Sequence, residues 1–160
     1  MKLIIGLGNP GVKYLKNRHN VGHMFIDFVN KNSQILNTKY QILKTSCYMN
    51  QSGGFVQSTL NSRGLSPSEI VVVHDDLDIP FGKFKLQFAT GPKIHNGIIS
   101  IEQTLDTNEF WRLRFGIDNR PSSAKASEGE TYVLQDFTSE EKEAVKNVFI
   151  EAVKQLTINN

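Results

Sequence analysis

The sequence predicts an α/β fold: a single domain built on a mixed, partly parallel, twisted β-sheet flanked by helices. Three observations carry this. Short apolar runs of strand length alternate along the chain with stretches of helical periodicity. Ile70 to His74 is the most β-branched run, and its first four residues are all apolar, the pattern of a strand covered on both faces. Finally, 160 residues with 39% hydrophobic and 21% charged side chains have the size and composition of one globular unit, spanning 1–160.

Lys2 to Leu7 is mostly apolar and runs into a glycine-rich turn, which predicts a buried first strand. Gly8 to Asn20 is polar and turn-rich. Val21 to Asn32 places Val21, Met24, Phe25, Phe28 and Val29 on one helical face. Tyr40 to Leu43 and Ser46 to Met49 are of strand length, and Gln51 to Arg63 reads as a helix with a weak stripe of Phe55, Val56 and Leu60. Ser66-Pro67-Ser68-Glu69 is a turn into the Ile70 strand. Pro80 and Gly82 break the chain before Lys83 to Phe88, where Phe84, Leu86 and Phe88 alternate as in a half-exposed strand. The Thr90 to Lys93 loop precedes a helix from Asn96 to Leu105. Trp111 to Ile117 sets Leu113, Phe115 and Ile117 against Arg112 and Arg114. Asp118 to Thr131 reads as loop. Thr138-Ser139-Glu140-Glu141 then opens a last helix, whose apolar face is Val145, Val148, Phe149, Ala152 and Leu156.

Composition narrows the function classes. A lone cysteine, Cys47, can form no internal disulfide and no cysteine-based zinc site. The first apolar run is too short for a signal peptide or membrane span, so a cytoplasmic location without membrane contact is the expectation. A net charge of +2 neither demands nor excludes RNA.

Gly6-Leu7-Gly8-Asn9-Pro10-Gly11 fits the dinucleotide pattern G-x-G-x-x-G, yet Val12 to Asn20 lacks the apolar stripe of a helix opening within that turn. No acid-terminated strand follows, since Asp27 falls inside the next helix. His19 and His23 are four apart, as zinc ligands on a helix are, but no Glu follows His19. The acids of His74-Asp75-Asp76-Leu77-Asp78 could attract magnesium; strand alternation separates Asp75 from Asp76 and works against their convergence.

Five segments concentrate polar groups at strand ends, loops or a helix start: Asn9 in GLGNPG, His19-Asn20 in RHNVG, Met49-Asn50 in YMNQSG, the HDDLD run, and His95-Asn96-Gly97. Each alone has a plain reading, as a turn former or, for Asn96, a helix N-cap. With FWRLRFGI and YVLQDF they form seven ordered motifs, which together resemble the bacterial peptidyl-tRNA hydrolase family over most of the chain.

The resemblance implies hydrolysis of the ester between a peptide and the tRNA 3′ ribose, recycling tRNA from peptidyl-tRNA released by stalled translation. It implies a monomer that uses no metal and no cofactor. His19 is then the general base, Asp75 the carboxylate that orients it, and Asn9 a donor for the water or oxyanion. Asn50 and Asn96 hold the substrate, Met49 packs near the terminal adenosine, and Tyr14 lines the site. Arg114, with Lys85, clamps the tRNA 5′ phosphate, so the acceptor stem is gripped without its sequence being read.

The sequence departs from the family pattern in three places. Lys93 and Ile94 stand where the family has glycines, in the loop that shapes the peptide groove. A positive φ at either would cost about 1–2 kcal/mol. The segment between the first helix and Met49 is shorter by about one hairpin, and the FGIG-x-P turn reads Phe115-Gly116-Ile117-Asp118-Asn119-Arg120-Pro121. The altered loop motivates a second reading, a non-catalytic relative that keeps the RNA-binding fold.

Overall fold

The computed structural model describes residues 1–32, 40–124 and 129–158. Five strands form one sheet in the order β2-β1-β3-β5-β4. They are β1 (Leu3–Gly6), β2 (Gln41–Lys44), β3 (Ile70–Pro80), β4 (Phe84–Phe88) and β5 (Trp111–Asp118). β2, β1, β3 and β5 run parallel, and β4 pairs antiparallel with β5, so the sheet is mixed as expected.

Side-chain alternation on the central strands builds two cores. Leu3, Ile5, Ile70 and Val72 pack under α2 (Ser52–Arg63) and α3 (Asn96–Leu105), with Val56, Leu60, Ile98 and Ile101. Ile4, Val71 and Val73 face the other way, onto α1 (Val21–Lys31) and α5 (Ser139–Ile158), meeting Phe25, Val29, Val145 and Phe149. Phe25, Phe115 and Phe149 form a tilted and edge-on aromatic cluster with centroids 4.9–5.3 Å apart.

Several boundaries differ from expectation. Ser46 to Met49 forms no strand: β1 ends at Gly6, whose carbonyl takes the Thr45 N–H, so no neighbour remains beyond it. β3 runs six residues past His74, because β5 stays paired with it to Asp76 and again at Pro80 after a register shift. The region read as loop ends in a short helix, α4 (Gly129–Val133). Residues 33–39 and 125–128 lie outside the described residues, and with them part of the shortened segment and of the loop after β5.

After the GLGNPG turn the chain forms two 3-10 turns, Val12–Tyr14 and Arg18–Asn20, and α1 starts only at Val21. The helix N-terminus that a dinucleotide site requires is therefore absent from that turn. α1 enters by close backbone approach: a Cβ on Gly6 would collide with the Gly22 carbonyl, and one on Gly22 with the carbonyls of Leu7 and Val73. Only glycine at both positions lets the turn ahead of α1 reach the C-terminal ends of the parallel strands.

Candidate active site

The polar motifs meet at that C-terminal edge, where open α/β sheets place their ligands. His19, in the second 3-10 turn, lies with Nδ1 2.9 and 3.0 Å from the two carboxylate oxygens of Asp75 on β3. Asp75 is 2% exposed and also accepts from His95, whose Nε2 is 2.9 Å from Oδ1. His95 Nδ1 accepts the Ile98 N–H at 3.3 Å, so the proton sits on Nε2 and His95 donates to Asp75. His95, not Asn96, is thus the N-cap of α3, a correction to the plain reading of Asn96. His74 donates from Nδ1 to the Asp75 carbonyl at 2.6 Å, and its buried Nε2 has no partner among the described residues.

The charges follow from this packing. Burial opposes protonation of His19, but the Asp75 carboxylate, by charge and by hydrogen bond, outweighs it and holds the imidazole above its usual pKa. Burial likewise opposes ionisation of Asp75; His19 and His95 overcome it and keep the carboxyl well below the usual carboxylate range. Burial and the neighbouring His95 push His74 far below 6.5, so it stays neutral. With Nδ1–H donating to Asp75, the basic nitrogen of His19 is Nε2, on a side chain 11% exposed.

Asn9 is fixed on three sides. Its backbone N–H and carbonyl exchange hydrogen bonds of 2.9 Å with the Asn20 carboxamide, and its Oδ1 accepts the Met49 N–H at 2.8 Å. The Oδ1 is therefore occupied, and Nδ2 is the donor end of the carboxamide. Asn20, fully buried, spends both ends of its amide on Asn9. The turn bearing His19 is pinned from behind by Arg18, which lies over the Tyr132 ring at 4.3 Å, donates to the Asp136 carbonyl and pairs with Glu141 at 2.7 Å. Neither Arg18 nor His95 was assigned a role by the motifs; a histidine just ahead of a helix was the one available signal.

The other expected residues scatter in environment. Met49 is buried against Leu7 and Gly97, with Asn50 exposed beside it and Asn96 exposed on the first turn of α3. Tyr14 is half-buried under the Lys13 ammonium, 4.7 Å from its ring centroid. Lys85 and Arg114 are direct cross-strand partners in the β4–β5 register. Lys85 is exposed, whereas Arg114 is 6% exposed, with Nε 2.7 Å from Asp76 and a terminal nitrogen 2.7 Å from Gln87. Lys93 and Ile94 have ordinary negative φ; the positive values fall at Ala89 and Gly91, so the two replacements add no backbone strain. Asp78 anchors that loop by accepting the Lys93 N–H at 3.1 Å.

Of the metal-ligand types, His19, Asp75 and His95 bring their ligand atoms within 4.8 Å. His19 Nδ1 and His95 Nε2 already share protons with the Asp75 carboxylate, and a cation between the three would have to displace them. Asp76 turns instead to Arg114, His23 to Thr45, and Cys47 is half-buried with its thiol pushed up by burial.

Comparison with known proteins agrees with the motif order. A profile described as peptidyl-tRNA hydrolase matches residues 3–159. A peptidyl-tRNA hydrolase of Sulfurihydrogenibium sp. is 44% identical, over 95% of this chain and 87% of its own. That of Thermodesulfovibrio yellowstonii is 36% identical over 99% and 91%. The crystal structure of peptidyl-tRNA hydrolase from Acinetobacter baumannii superposes with a TM-score of 0.83 at 28% identity, covering 99% of this chain and 89% of that one. With matches along nearly the whole length in sequence and in fold, the chain belongs to the peptidyl-tRNA hydrolase family, a family of hydrolases.

Proposed function

We propose that this protein hydrolyses the ester between a peptide, or an N-blocked aminoacyl group, and the 3′ ribose of tRNA, with His19 as the base that activates water. The observation that carries the reading is the Asp75 carboxylate shared by His19 Nδ1 and His95 Nε2. His19 Nε2 removes a proton from water as its oxygen bonds to the ester carbonyl carbon. The same proton then passes to the ribose oxygen as the carbon–oxygen bond breaks, leaving a free peptide acid and a tRNA 3′ hydroxyl. Asp75 stabilises the imidazolium formed between these steps, and Asn9 Nδ2 donates to the water or to the oxyanion. Asn50 and Asn96, both exposed, are open to the substrate, and half-buried Tyr14 and buried Met49 complete the residues assigned to it. Lys85 is the cation suited to the 5′ phosphate, Arg114 holding its strand beside it. The cellular role that fits is recycling of tRNA from stalled translation in the cytoplasm, by a monomer.

The test is deacylation of an N-acylated aminoacyl-tRNA with and without EDTA. Release insensitive to the chelator, and lowered about 10²–10⁴-fold in a folded His19→Ala variant, is the expected outcome. Full activity in His19→Ala removes the base, and loss on chelation redirects the chemistry to a metal at His19, Asp75 and His95.

A further inference from the structure

We propose that His23 and Thr45 are positioning residues for Asn9, fixing the Gly8–Asn9 peptide so that its carboxamide is presented to the substrate; this rests on the function proposed above. His23 sits in the first turn of α1 and is 8% exposed, and its Nε2 lies 3.0 Å from Thr45 Oγ1. That hydroxyl in turn lies 3.2 Å from the Gly8 carbonyl and 3.4 Å from that of Gly6. A hydroxyl has one proton, which goes to the carbonyls, so its lone pair accepts from His23 Nε2–H. The tautomer of His23 is thereby set. Burial and the Lys44 ammonium, against a smaller opposing pull from Asp27, lower its pKa to about 4, and the ring stays neutral at ordinary pH.

The ring is also the floor of the loop. A Cβ on Gly8 would lie 2.6 Å from His23 Cγ, so the glycine is required for space and not for its φ. The peptide before Asn9 is thus held at its carbonyl by Thr45 and from below by His23. The backbone of Asn9 itself is gripped by Asn20. Asn20 holds the Asn9 backbone and the Met49 N–H its Oδ1; the Thr45 bond adds an anchor at the preceding residue and fixes the plane of the peptide between them. His23 is not a metal partner of His19: it completes the seat of a different polar group.

The experiment is a double-mutant cycle on deacylation kinetics. Thr45→Val keeps the shape and removes the hydroxyl; kcat should fall about 10-fold with KM unchanged. Thr45→Ser should restore the rate. In an Asn9→Ala background, Thr45→Val should change kcat by less than about 2-fold, since the group it positions is gone. Equal losses in both backgrounds, or wild-type kcat in folded Thr45→Val, would overturn the inference while leaving Asn9's role intact. Wild-type kcat in Asn9→Ala instead removes Asn9 from the chemistry and takes this inference with it. Should Thr45→Val not fold, His23→Gln and His23→Met give the same cycle. The amide keeps the donor and the rate; the thioether fills the space, loses the rate, and adds nothing to Asn9→Ala.

Discussion

Asp75 and Asp76 are chemically identical neighbours on β3, each 2% exposed, yet they serve different ends. Asp75 lies between two imidazoles, those of His19 and His95, and its charge raises the pKa of the first. Asp76 faces the Arg114 guanidinium, whose planar fork of donors also reaches Gln87. The first arrangement sets an imidazole at the end of the strand; the second ties β3 to β5 and, through Gln87, to β4. What a buried carboxylate does is decided by its partners, and strand alternation is what gave adjacent residues different ones.

Substitutions at the two positions should separate along the same line. Asp75→Asn should lower the maximal deacylation rate by up to about 10⁴-fold, since an amide neither fixes the His19 tautomer nor stabilises the imidazolium. The sign of its pH effect is defined. Asp75 holds the His19 pKa above 6.5, and the base works only when neutral, so wild-type rate is lost as pH falls through that raised value. Without the carboxylate, burial is left to lower the pKa, and the acid limb of the pH–rate profile moves to lower pH. A limb that stays in place would detach Asp75 from the base.

Arg114→Ala should show its effect in stability. It strands a buried carboxylate at Asp76, and denaturant unfolding should report a loss of about 3–5 kcal/mol. A variant with unchanged unfolding midpoint and impaired tRNA binding would instead make Arg114 a phosphate ligand. Lys85→Ala, the mildest of the three, should leave stability alone and reduce the slope of log affinity for tRNA against log salt by about one unit. An unchanged slope would place the phosphate contact elsewhere.

Much of this was legible in the residues, and the limits are physical. Strands β1 and β5 and helix α3 were bounded to within a residue, because their apolar patterns are dense and their ends carry glycine or capping residues. The Ser46–Met49 segment misled because strand propensity says nothing about whether a neighbouring strand continues; here the Met49 N–H bonds to the Asn9 side chain. α4 has five residues, too few to show a period. At the site, the motif order named His19, Asp75 and Asn9, which the fold brings to one edge. The role of His95 as second donor to Asp75 depends on where α3 begins in space. The burial of Arg114 depends on which acid lies diagonally across the β3–β5 register, and neither relation is written in local sequence.

The clasp on the His19 turn comes from far downstream: Arg18 pairs with Glu141, 123 residues further on. A chain emerging from the ribosome exposes its histidine long before the glutamate that steadies it has been translated. The turn therefore gains this contact only once the first turn of the last helix has been made.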